Sequence, residues 1–117
     1  MIYSISGTLS ALYAARKKMG VAADNIANTN TDEFKKSRVT LSERDGGGVS
    51  ATVDVVDTPG IPKDTIQNDT IVQTESSNVD LAEELTELIP TKTYYGANLK
   101  ALKTQQDMLG SLIDIVS

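Results

Sequence analysis

SNVDLAEELTELIPTKTYYGANLKALKTQQDMLGSLIDIVS, residues 77–117, decides the fold. Counted from Leu81 in alternating steps of four and three, it meets Leu81, Leu85, Leu88, Lys92, Tyr95, Leu99, Leu102, Gln106, Leu109, Ile113 and Val116. Nine of these eleven positions are apolar, so the repeat predicts a helix whose seam faces another helix in a left-handed pair. At about 1.5 Å per residue it would run roughly 50 Å, longer than a compact domain of this size needs. The seam calls for a partner. Ser77, Asn78 and Asp80 offer capping oxygens, and Asp80, Glu83, Glu84 and Glu87 place negative charge at the positive end of the helix dipole. Pro90 opposes the pattern, because inside a helix it removes a donor and crowds the preceding turn. It predicts a kink near Leu85–Pro90, or a short first helix followed by a longer one from Thr91.

The partner lies at the other end of the chain. Ile5, Leu9, Leu12, Arg16, Met19, Ala23 and Ile26 repeat the same spacing, with Ile2 one step earlier. Ala11, Ala14, Ala15, Ala22 and Ala27 favour helix and allow another backbone to approach closely. One helix is predicted from about Tyr3 to about Asn28, pairing antiparallel with the C-terminal one. The run Asn25-Ile26-Ala27-Asn28-Thr29-Asn30-Thr31 then ends it, since Asn and Thr side chains compete for nearby backbone and Asn tolerates positive φ. Phe34, the only phenylalanine, would anchor the turn. On local physics these residues form a structural stop signal before they form a ligand site.

Between the helices the character changes. Val39 and Leu41 alternate with polar neighbours, Asp45-Gly46-Gly47-Gly48 is a flexible turn, and Val49, Ala51, Val53 and Val55 give the best strand. Thr58-Pro59-Gly60-Ile61-Pro62 reads as a turn with a stiff exit, and Thr65–Gln73 as a second strand. The expectation is a mainly α fold. Two long terminal helices pair as an antiparallel coiled coil, with a small β-hairpin or irregular middle segment. The chain divides into an N-terminal helix and Asn-rich motif (1–36), a short β/loop protrusion (37–76) and a C-terminal heptad helix (77–117).

Composition excludes more than it includes. The chain has no Cys and no His, which removes thiol chemistry, His-based acid–base catalysis and the usual zinc sites. No apolar run approaches a membrane span, and the first basic residues follow the N-terminal apolar ones instead of preceding them, unlike a cleaved signal. Residues 1–40 carry six basic and three acidic groups, whereas residues 41–117 carry five and thirteen. Without aromatic interleaving, and with a net charge of −5, this asymmetry fits contacts between copies of the chain better than nucleic acid. Ordinary solvated faces are the plainer alternative. The acidic pairs, Asp54 with Asp57 and Glu83 with Glu84, lack the contrasting environments of an acid–base pair. No catalytic residue, cofactor or metal site is expected.

Two motifs carry a resemblance. Asn25-Ile26-Ala27-Asn28-Thr29-Asn30-Thr31 with Phe34-Lys35 resembles the N-terminal motif of the bacterial flagellar axial (rod and hook) proteins. Ser77-Asn78-Val79-Asp80-Leu81-Ala82-Glu83-Glu84-Leu85, with Tyr95, Ala97-Asn98 and Asp107-Met108-Leu109, resembles that family's C-terminal motif. The short length is most like a rod protein of the proximal rod. The family commonly has Gly before the aromatic where this chain has Glu33, and Gln-Arg-Ala-Tyr where it has Lys92-Thr93-Tyr94-Tyr95. The resemblance implies a structural subunit of the periplasm-spanning basal-body rod, polymerising through its terminal helices and exported without a cleaved signal. It implies as partners copies of itself, other axial proteins and the flagellar type III export apparatus, with no nucleic acid and no direct membrane insertion. In the assembly seam, Leu9, Leu12, Met19 and Ile26 would pack against Leu99, Leu102, Leu109 and Ile113. Asn25, Asn28, Asn30, Thr31, Phe34, Asn78, Asp80, Tyr95 and Asn98 are the motif positions. A free-standing coiled-coil adaptor or export chaperone is the alternative, which explains the heptads but not the motifs.

Overall fold

Alanine sets how closely the long elements of this chain approach. The computed structural model describes residues 2–117, beginning with helix α1 (Ile2–Ala27), whose buried positions are Ser10, Ala11, Leu12, Ala14, Ala15, Ala22 and Asn25. Five of those seven side chains are no larger than serine, so a backbone can be packed on either side of α1 without a thick layer of side chains. On one side lies helix α2 (Leu81–Val116). Near one end of the pair Gln105 Nε2 donates to Ser4 Oγ (2.6 Å), and near the other Asn25 Nδ2 donates to Glu84 Oε1 (3.2 Å). Ser4 to Asn25 and Gln105 back to Glu84 span equal numbers of residues, so the helices run antiparallel and in step.

The chain is mainly α, as its heptads predict, with two differences in the helices. First, α2 runs through Pro90 without a break. The pyrrolidine ring is exposed, while Glu84 and Thr91 on either side of it are buried and Thr91 Oγ1 donates to Glu87 O (2.8 Å). Packing on both flanks therefore holds one helix where the residue alone favours two. Second, α2 has 36 residues against 26 in α1. In the register above, the segment past Asp107 extends beyond the start of α1, and every residue from Gln106 to Ser117 is exposed.

The middle of the chain forms two antiparallel hairpins, one more than its sequence suggests. Strands β1 (Ser37–Glu43) and β2 (Val49–Val55) pair with Val39 opposite Val53 and Leu41 opposite Ala51. Their turn places Gly46, Gly47 and Gly48 all at positive φ, from 87° to 96°, a conformation that only glycine adopts freely. Strands β3 (Pro62–Gln67) and β4 (Thr70–Glu75) occupy the stretch read as a single second strand. Asn68 (φ 51°) and Asp69 (φ 61°) split it, making a two-residue turn with the twist that antiparallel strands require.

The first hairpin lies flat on α1. Its base is held at Ser37 by Asn25, its middle at Ala51 by Lys17 Nζ (3.2 Å), and its far end at Val49, whose N–H donates to Ser10 Oγ (3.0 Å). The second hairpin packs on neither helix nor on the first hairpin. The whole body measures 79 × 24 × 22 Å.

Candidate functional site

Four chain segments meet where α1 ends, and two asparagines tie them together. Asn25 is 1 % exposed. Its Oδ1 accepts from Ser37 N (2.9 Å), and its Nδ2 donates to Ser37 O (2.8 Å) and to Glu84 Oε1 (3.2 Å). One amide thus satisfies both backbone groups of a residue at the edge of β1, as a neighbouring strand would, and also reaches α2. Asn78 ties the two strands' flanks together from the other side. Its Oδ1 accepts from Lys36 N (2.6 Å), and its Nδ2 donates to Val56 O (2.8 Å) and Thr58 O (2.9 Å). Val56 N donates in turn to Lys36 O (2.8 Å), which closes the base of the first hairpin.

Charged groups surround this junction. Asp80 caps α2, accepting from Ala82 N (3.0 Å) and Glu83 N (3.3 Å). Glu83 faces Lys36 (3.2 Å) and Arg38 (2.7 Å), and Lys35 bridges to Glu75 (2.7 Å). The hydrogen bond from Lys35 holds the Glu75 carboxyl below its ordinary pKa, helped by the N–H of Gly60. At Gly60 the chain passes so close to Ser76 that a Cβ would sit 1.9 Å from the Ser76 carbonyl oxygen. The glycine in Thr58-Pro59-Gly60-Ile61-Pro62 therefore serves a close crossing of two backbones at the foot of the second hairpin.

Glu84 is buried, and burial pushes its carboxyl pKa up; the Asn25 hydrogen bond opposes that push, and nearby Glu87 reinforces it. A folded-state pKa above the unfolded one means that the native state binds more protons through the window between them. Stability from this group is thus full below the ordinary carboxylate range and falls as pH rises through the folded value. Glu84→Gln keeps an oxygen for Asn25 and removes the charge. Urea titrations at neutral pH are expected to show a higher midpoint for Glu84→Gln than for wild type, with the difference vanishing below the carboxylate range.

Glu33 occupies the place before Phe34 and has φ 62°, in the left-handed region that costs a residue with a Cβ about 1–2 kcal/mol. Its N–H donates to Glu75 O (2.9 Å), tying the turn to β4. A glycine there would keep that bond without the strain, offset in part by its extra freedom in the unfolded chain. Glu33→Gly is expected to raise the urea midpoint, by an amount equivalent to about 0.5–1 kcal/mol.

The remaining motif residues act locally. Asn28 Nδ2 donates to Asp24 O (2.9 Å), and its Oδ1 accepts from Thr31 Oγ1 (3.0 Å), ordering the turn that ends α1. Asn30 is exposed and Phe34 half-buried. Asn98, half-buried like Tyr95, donates to Tyr94 O (2.9 Å) on its own helix.

The seam residues divide by position. Leu12 is buried, Met19, Ile26 and Leu102 are half-buried, and Leu9, Leu99, Leu109 and Ile113 are exposed. The antiparallel register sets Leu9 across from Leu99, but Met19 and Ile26 across from the segment around 83–91. Leu109 and Ile113 extend past α1, together with Leu112, Ile115 and Val116, all of them at least 40 % exposed. Within one chain, the two halves of the proposed seam therefore meet only around Leu9, Leu12, Leu99 and Leu102.

Sequence reasoning missed Ser10, Gly60 and Glu84 as contact-making positions. Ser10 is, with Asn25, one of two polar members of an otherwise alanine-rich stripe, a signal that was present; the other two depend on which segments cross. Among the described residues, no group of three or more carboxylates converges to hold a metal ion, and no helix is long and apolar enough to cross a membrane.

Comparison with known proteins addresses both ends of the chain. Residues 8–35 match the family described as flagella basal body rod protein, and residues 73–115 match flagellar basal body rod FlgEFG protein C-terminal. The flagellar basal-body rod protein FlgC of Buchnera aphidicola subsp. Baizongia pistaciae is 29 % identical over 131 aligned positions, covering 97 % of this chain and 95 % of that protein. The junction asparagines Asn25 and Asn78 each lie inside one of the two matched segments.

Proposed function

We propose, since the chain belongs to the flagellar basal-body rod protein family, that it is a structural subunit of the bacterial basal-body rod. It polymerises through its terminal helices into a helical axial assembly. The observation that carries this reading is the overhang of α2, where Leu109, Leu112, Ile113, Ile115 and Val116 have no helix among the described residues to cover them. A helix this long holds its seam in water only if another molecule covers it. Contacts of this kind, one surface of a subunit on a different surface of the next, propagate into helical assemblies when the rotation does not close.

In this reading the helices pair as a coiled coil once neighbouring copies complete the seam, and the two hairpins project from the helical layer at the asparagine junction. The partners are copies of this chain and other flagellar axial proteins, reached through the flagellar export apparatus without removal of a signal. The role is structural, with no catalysis and no cofactor. The test is electron microscopy of basal bodies from a strain lacking this chain. Basal bodies without a complete rod, restored by the wild-type chain, are expected; complete rods in the deletion strain would overturn the reading.

A further inference from the structure

We propose that the β3–β4 hairpin of one subunit docks into the groove between α1 and the β1–β2 hairpin of a second copy of this chain. The proposal rests on the assembly reading above and adds to it a specific pair of surfaces outside the α1–α2 seam. An isolated two-stranded hairpin is marginal in water, and β3–β4 is tied near its base to Asp32, Glu33 and Lys35 but packs on neither helix and on neither strand of the first hairpin. In its register Ile66 is directly opposite Ile71 and Asp64 opposite Gln73, so these four side chains share one face. Ile66 and Ile71 are 75 % and 72 % exposed. This face is apolar at its centre and acidic at its edges, with Asp69 in the turn. Among the described residues, Asp64 and Asp69 belong to no ion pair.

The complementary surface lies on α1. An open groove of about 620 Å³ runs between α1 and the first hairpin, and its lining includes Tyr13, Arg16, Lys17 and Arg44. Tyr13 is 62 % exposed. Arg16, Lys17 and Arg44 line the groove together, and among the described residues none forms an ion pair, the Lys17 ammonium donating to the Ala51 carbonyl (3.2 Å). Convergent like charges around an aromatic face fit an acidic partner with an apolar centre. The hairpin supplies both.

Geometry makes the contact intermolecular. A helix of 36 residues accounts for about 54 Å of the 79 Å length, and the remainder, about 25 Å, fits a six-residue hairpin continuing the axis. The hairpin is anchored at Glu33 and Lys35, past the end of α1, and touches neither α1 nor the first hairpin, so it leaves its own groove unfilled. A surface at one end meeting a different surface near the middle of the next copy is a heterologous contact, which extends into an open array.

The test uses the full chain in a strain lacking it. Asp64→Lys with Asp69→Lys, and separately Arg16→Glu with Lys17→Glu, are each expected to cut the number of complete rods by about tenfold or more, and the four changes together to restore them. Because the chain contains no cysteine, Tyr13→Cys and Ile66→Cys introduced together give a second readout that leaves every charge in place. Oxidation of isolated basal bodies is expected to join neighbouring subunits through positions 13 and 66. Near-normal rod numbers for both charge-reversed chains, or no joining of positions 13 and 66 in assembled rods, would overturn the docking. Either result would leave the assembly reading intact, which fails only if rods are complete without the chain.

Discussion

Leu109→Asp combined with Ile113→Asp is expected to leave the isolated chain as stable as wild type and to abolish rod assembly. Both side chains lie on the part of α2 that runs beyond α1, and they are 40 % and 60 % exposed. Changing an exposed side chain away from caps and tight contacts typically alters stability by no more than about 0.5 kcal/mol. The same carboxylates would be buried unpaired in an assembled seam, at a cost of several kcal/mol each. The effect is therefore expected in one readout only. Thermal melting of the purified double variant should overlay wild type, while the complemented deletion strain makes no complete rods. Rods of normal length would place the overhang outside the assembly contact.

Asn25→Ala should have its largest effect on the isolated chain. It removes all three hydrogen bonds of the Asn25 side chain and leaves Ser37 N–H, Ser37 C=O and the buried Glu84 carboxylate without that partner. Each buried group left unsatisfied costs about 1–3 kcal/mol, more when charged, so the sum approaches the whole stability of a small domain. Few large side chains stand behind it, because the buried apolar residues are Ala11, Leu12, Ala14, Ala15 and Ala22. A urea titration is expected to show the native baseline lost or the midpoint reduced by more than half. Asn25→Asp separates hydrogen bonding from size. It keeps the acceptor for Ser37 N but loses both donors and faces Glu84 with a like charge, so it should be no more stable than Asn25→Ala at neutral pH. Retention of the wild-type midpoint by Asn25→Ala would show that the junction is held by something other than this amide.

How much of this was legible in the sequence follows from the range over which each signal acts. The heptads gave both helices to within a residue or two, because the spacing of apolar side chains is a property of one segment. The turn at Gly46-Gly47-Gly48, the extended piece at Val39 and Leu41 and the strand from Val49 to Val55 were legible for the same reason, but not their pairing with each other, since Thr65–Gln73 offered itself as the second strand. The second hairpin was half-hidden. Asn68-Asp69 lacks the glycine that usually marks a two-residue turn, so the apolar residues on its two sides read as one strand. The continuity of α2 through Pro90 was not legible, since packing at Glu84 and Thr91 supplies what the local backbone lacks.

The asparagine motif shows where local reading stops. Its role in ending α1 follows from Asn and Thr chemistry, as the bonds among Asp24, Asn28 and Thr31 bear out. That Asn25 also holds a strand edge and a second helix depends on partners 12 and 59 residues away, which no local pattern specifies. Glu33 lies between these cases. The glycine usual in the family before the aromatic suggested that a chain with Glu33 builds this turn differently, whereas Glu33 itself adopts φ of 62°, in the region that glycine favours.

The most direct measurement of the central claim is chemical protection at the end of α2. Ile113→Cys introduces the only thiol into a chain without cysteine, at a position exposed in the single subunit. The rate of maleimide labelling would be compared for the purified chain and for basal bodies isolated from a complemented strain. Assembly through the helix overhang predicts rapid labelling of the free chain and strong protection of the same thiol in basal bodies. Equal rates in the two would contradict it, because the apolar end of α2 would then remain open to solvent in the finished structure.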